Sequence, residues 1–283
     1  MQNQISFLPN DSKASRIFGG NICEPISCNC HHRSETERQD YPGPRCFPGL
    51  YIPRIYDRKL DHRKWHEGYV QTYLERDIRQ LVNLADLRTF ESFLKLCAGM
   101  SGQLLNYASI ANAIGISQPT VKRWISLLET SGIVYILPPY YEIFSRRIIK
   151  SPKIYFTDTG LLCFLLSIRK PDELQTHPLF GAIFETFIVA DLFKRVVHLG
   201  ELPPFYYWRD RSGKEVDLIV DFGQTVLPVE IKSSRTFSSS FRSNLQKWID
   251  LSQGRAVRGL VIYAGERIVG RGSRIPVVPW WSV

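Results

Sequence analysis

Lys214-Glu-Val-Asp-Leu-Ile-Val-Asp-Phe-Gly-Gln-Thr-Val-Leu-Pro-Val-Glu-Ile-Lys-Ser-Ser234 decides the reading of this chain. Two alternating, β-branched-rich runs flank Gly223-Gln224, a pair suited to a two-residue hairpin turn. If Phe222 faces Thr225 across that turn, counting back puts Asp217 directly opposite Glu230. Opposed residues carry Cβ atoms about 5 Å apart, so two carboxylates share one face of the sheet. Lys232 lies two residues beyond Glu230 and points to that same face, opposite Glu215.

Two carboxylates this close repel unless a proton or cation lies between them. Hard oxygen ligands suit Mg²⁺ or Mn²⁺, a bound metal acidifies water and stabilises charge on a phosphate, and an adjacent lysine orients the attack. That is the chemistry of phosphodiester hydrolysis. The competing reading is a solvated cross-strand ladder of Glu215, Asp217, Glu230 and Lys232. Against it, the run from Val216 to Val220 is too apolar for a strand with one face wholly in water.

Outward from the hairpin, the spacing predicts a helix over 178–197 with Phe180, Ile183, Phe184, Phe187 and Ile188 on one face. Glu185 borders that face above Gly181 and Ala182 and is a candidate third acid. Strands are predicted at 205–209, 215–222, 225–233 and 259–264, with a helix over 239–251, which makes a mixed α/β layer. Further upstream come a strand over 153–156 and a short helix over 159–168.

Helix-turn-helix grammar precedes this region. Asn106 caps a helix through Ile114, Gly115 breaks it, and Ser117 caps a second helix to about Thr130. Val121, Trp124, Ile125 and Leu128 turn inward, leaving Gln118, Thr120, Lys122 and Arg123 as candidate DNA contacts. Residues 133–149 alternate like a hairpin interrupted by Pro138 and Pro139, a candidate wing, so a winged helix is expected over 88–150. Its two possible uses, DNA binding and packing against a neighbouring domain, are both open.

The 283 residues carry a net charge of +9, which favours an anionic partner such as DNA. No run of about 18 apolar residues and no charged-then-apolar leader is present, so neither a membrane partner nor secretion is expected, and a reducing cytoplasm is the default. Cys23, Cys28, Cys30, His31, His32 and Cys46 match none of the usual paired zinc-ligand spacings. Residues 1–46 lack a sustained hydrophobic period and read as a disordered or remnant segment. Residues 47–87 read as a helical lead-in, including one helix from Arg63 to Leu84.

Asp217 with Glu230-Ile231-Lys232, preceded by helical Glu185, resembles the PD-(D/E)xK nuclease pattern. More widely, residues 69–81, 105–140 and 153–162 resemble the C-terminal part of a prokaryotic ATP-binding protein family. Its members carry an AAA-type ATPase domain, a winged helix and a nuclease-like domain of unknown function; the resemblance spans about 47–270. It implies a multi-domain α/β protein, a winged helix-turn-helix followed by a restriction-endonuclease-like mixed-sheet domain over 151–283. It also implies metal on Asp217, Glu230 and Glu185, aided by the Ile231 carbonyl, with Lys232 as catalytic partner. No GxxxxGK[ST] phosphate loop occurs in the sequence. ATP is therefore not expected as a ligand, a truncation relative to ATPase-bearing relatives is expected, and a separate ATPase subunit is a possible partner.

Overall fold

The computed structural model describes Ile17 and residues 62–73, 87–141 and 149–283. The cysteine-rich segment and the second half of the expected 63–84 helix, residues 74–84, lie outside these residues. The described residues fall into two compact units, 46–136 with 151–190, and 137–150 with 191–283. The sequence reading drew its boundary at 150/151, whereas the contacts group 151–190 with the helix-turn-helix. Both units mix helix and sheet, and each has its own β-sheet.

In the helical unit, α1 (His62–Thr72) and α2 (Leu87–Gly99) precede a two-residue strand β1 (Gln103–Leu104). The helices α3 (Tyr107–Ile114) and α4 (Gln118–Thr130) follow, then strands β2 (Val134–Leu137) and β3 (Lys153–Phe156), and then α5 (Thr159–Leu165) and α6 (Pro171–Thr176). The caps are those the sequence predicts. Asn106 accepts from the Ser109 amide, Gly115 closes α3 at φ 77°, and Ser117 accepts from the Thr120 amide. A left-handed closing residue is why glycine stands at 115. On α4, Val121, Trp124, Ile125 and Leu128 are buried, and with Phe90, Phe93, Ile154 and Phe156 they form one core.

The expected 133–149 hairpin forms differently. The strand after α4 belongs to a three-stranded sheet in the order β1, β3, β2, so β2 lies beside β3 rather than beside residues 140–149. Pro138 and Pro139 have no N–H to continue a ladder, so the chain leaves the sheet there. Within the second unit, the Pro138 carbonyl accepts from the Tyr207 amide and the Tyr140 amide donates to the Tyr207 carbonyl. Residues 142–148 of the expected wing lie outside the described residues.

Helix α7 (Phe180–His198) leads to β4 (Phe205–Arg209), β5 (Glu215–Asp221), β6 (Val226–Lys232), α8 (Ser243–Leu251), β7 (Leu260–Tyr263) and β8 (Val277–Pro279). These strands form one sheet in sequence order: β4, β5 and β6 pair antiparallel, and β6, β7 and β8 pair parallel. Pro228 is tolerated in a central strand because the β6–β7 ladder begins one residue later, at Val229↔Leu260. On α8, Leu245, Trp248 and Ile249 share a core with Val216, Val226, Val261 and Val277.

Candidate functional site

The turn forms as counted. The Phe222 amide donates to the Thr225 carbonyl, and Asp221↔Val226 through Leu218↔Val229 keep the predicted register. At Asp217 the strand departs from a plain ladder. Tyr206 pairs with Ile219 but Trp208 pairs with Val216, so Tyr207 faces both Asp217 and Leu218, a bulge. Bulges bend a strand locally and re-aim its side chains. Here Asp217 reaches across to β6, where its Oδ2 accepts the Ile231 amide at 2.8 Å.

Glu230 is only 3% exposed, and its Oε1 accepts from Lys232 Nζ at 2.5 Å. A buried carboxylate costs several kcal/mol unless charge and hydrogen bonds compensate it, so this burial argues against a solvated charge ladder. Glu215, the other member of that ladder, pairs across the β4–β5 ladder with Arg209 at 3.2 Å. The bulge and the two adjacent strands thus gather Asp217, Glu230 and Lys232 at one end of the sheet.

Glu185 is held elsewhere in its own unit. Its Oε1 accepts from Lys153 Nζ at 2.9 Å and from the Tyr155 hydroxyl. One turn before it, Ala182 packs against Gly102, on which an added Cβ would stand 3.5 Å from the Ala182 Cβ. Lys153 and Tyr155 are the partners of Glu185 that the sequence reading missed. The signal was a lysine opening the apolar strand Lys153-Ile-Tyr-Phe156, because a buried ammonium requires a carboxylate.

At the helix-turn-helix, Gln118, Lys122 and Arg123 are exposed and Thr120 is half-buried. Thr120 Oγ1 shares a hydrogen bond with the capping hydroxyl of Ser117. Lys122 Nζ sits 5.6 Å from the Tyr107 ring centroid. Burial, then the nearby Glu129 carboxylate, push the Tyr107 phenol above its ordinary pKa, so it stays a neutral donor.

Among the described residues, no three His, Cys, Asp or Glu side chains gather closely enough to hold a metal by themselves. Two carboxylates and a backbone carbonyl nevertheless fit Mg²⁺, which keeps several waters and binds through one or two carboxylates plus substrate phosphate. Among the described residues, no helix is long and apolar enough to cross a membrane.

Residues 46–172 match a domain of unknown function, DUF8612, and residues 180–283 match a second, DUF4143. The chain is 33% identical over 219 residues to Uncharacterized protein Rv2008c of Mycobacterium tuberculosis, covering 77% of this chain and 48% of the relative. The same figures hold for Uncharacterized protein Mb2031c of Mycobacterium bovis. The chain thus spans about half the length of the curated relatives it matches. A solved structure, MepR, a transcription regulator of the Staphylococcus aureus multidrug efflux pump MepA, aligns over 53% of this chain and 99% of its own. Its identity is 16% and its TM-score 0.23, too low to carry a fold argument.

Proposed function

We propose that the β5–β6 hairpin is the metal-dependent phosphodiesterase site of a DNA-processing module, in a restriction-endonuclease-like sheet. The observation that carries this reading is Glu230, a buried carboxylate beside the bulged Asp217 and in contact with Lys232. Asp217, Glu230 and the Ile231 carbonyl would hold Mg²⁺ or Mn²⁺. When bound, such an ion acidifies water and stabilises negative charge on a phosphate. Lys232 Nζ donates to Glu230 and shields its charge. With a phosphodiester present, its ammonium is in place to orient the attacking water and offset charge on the phosphate oxygens.

A second reading, a DNA-binding module without cleavage, draws on the helical unit. Its element order, α2, β1, α3, α4, β2, β3 with the sheet order β1, β3, β2, supports a winged-helix reading, and Gln118, Lys122 and Arg123 are exposed on α4. Incubating purified protein with supercoiled and linear DNA in Mg²⁺, Mn²⁺ or EDTA separates the two. The nuclease reading expects metal-dependent cutting, lost in both Asp217→Ala and Lys232→Ala. Metal-indifferent binding without cutting, weakened by Lys122→Glu with Arg123→Glu, would replace it with the second reading.

A further inference from the structure

Strand pairing sets Arg209, Glu215, Lys232, Tyr263 and Pro279 at one end of the five-stranded sheet, the end that holds Asp217 and Glu230. Three connections emerge there: the β4–β5 turn at 210–214, the segment following Lys232, and the segment following Tyr263. They present Arg211, Lys214, Arg235 and Arg267, all exposed and none in an ion pair with a carboxylate among the described residues. Opposing them are Asp210, tied into its own turn by the Ser212 hydroxyl and the Lys214 amide, and exposed Glu266.

Local packing fixes where these cations stand. The Ala264 amide donates to the Lys232 carbonyl, so the segment after β7 starts alongside the catalytic strand. The Tyr263 hydroxyl donates to the Arg267 carbonyl and accepts the Arg267 amide, closing a tight loop. Gly265 presses on the other loop, since a Cβ there would meet the Arg235 carbonyl at 2.6 Å and the Tyr263 ring at 2.2 Å. Arg235 and Arg267 therefore rise from loops packed backbone to backbone on the β6–β7 side of the acids, and Arg211 and Lys214 from the β4–β5 side. The segment after Lys232, Ser233-Ser-Arg-Thr-Phe-Ser-Ser-Ser-Phe-Arg242, adds hydroxyls and no acid.

We propose that these loops form a rail for the phosphate backbone of duplex DNA, which crosses the sheet end so that one phosphodiester lies over Asp217 and Glu230. The inference rests on the site assignment above and goes beyond it in naming the substrate surface. Contact is to phosphates and not to base edges, so recognition at this unit is indifferent to sequence.

The test is duplex binding in EDTA, where no cutting occurs, across a salt series. Two charge-matched pairs are compared: Arg211→Gln with Arg235→Gln at the site end, and Arg258→Gln with Arg271→Gln near the opposite end. Each phosphate contact contributes about 0.9 to the slope of log affinity against log salt, so the site-end pair lowers that slope by about 1.8. The opposite-end pair leaves the slope unchanged. Equal effects of the two pairs, no effect of either, or no duplex binding by the unsubstituted chain would overturn the rail. A site-end effect accompanied by no metal-dependent cutting would retire the nuclease assignment and leave the rail standing.

Discussion

Two lysine–glutamate pairs in this protein are chemically alike and structurally opposite. Lys153 and Glu185 come from a strand and a helix 32 residues apart, with side chains 3% and 17% exposed, and the Tyr155 hydroxyl seals the same carboxylate oxygen. Lys232 and Glu230 sit two residues apart on one strand, the lysine 35% exposed and the acid 3%. The first pair ties two elements together. The second joins two residues of one strand, which the alternation of side chains places on the same face of the sheet. A carboxylate buried beside a partly exposed lysine of its own strand is the feature on which the proposed metal site rests.

Substitutions sharpen the contrast. Lys232→Ala should reduce metal-dependent cutting about a thousandfold, about 4 kcal/mol in activation free energy, and should also cost stability, because it leaves the buried Glu230 carboxylate without its ammonium. Cutting that survives the substitution would erase the distinction. Glu185→Gln should destabilise the fold by about 3 kcal/mol in chemical denaturation, because it strands a buried ammonium. Replacing Lys153 and Glu185 together by Met should recover most of that loss, as paired apolar residues replace a buried ion pair at little cost. No such rescue of cutting is expected when Glu230 and Lys232 are both replaced. The smallest effect belongs to the helix-turn-helix: Ser117→Ala removes a cap and should cost about 1 kcal/mol by the same denaturation measurement.

Local rules carried much of this far. Asn106, Gly115 and Ser117 marked the ends of α3 and α4 because caps are short-range chemistry, and Gly223-Gln224 fixed the β5–β6 register because a tight turn leaves little choice. What the sequence did not reveal is set by distant neighbours. The bulge at Asp217 depends on how β4 meets β5, and the β2–β3 pairing depends on strands separated by the proline break. Strand β8, three residues long, is too short to show a period. Glu185 read as a metal ligand because its spacing placed it beside an apolar face. A lysine opening the apolar strand 153–156 signals a buried cation, but which carboxylate meets it is decided only once a strand and a helix come together in three dimensions.

The most direct test of the central claim is Mn²⁺ binding to the purified chain, followed by the loss of the free-ion paramagnetic resonance signal, with Asp217→Asn and Glu185→Gln beside it. One site per chain is expected, and it should disappear in Asp217→Asn with the fold retained. Binding that survives Asp217→Asn, or no binding to the unsubstituted chain, would contradict it.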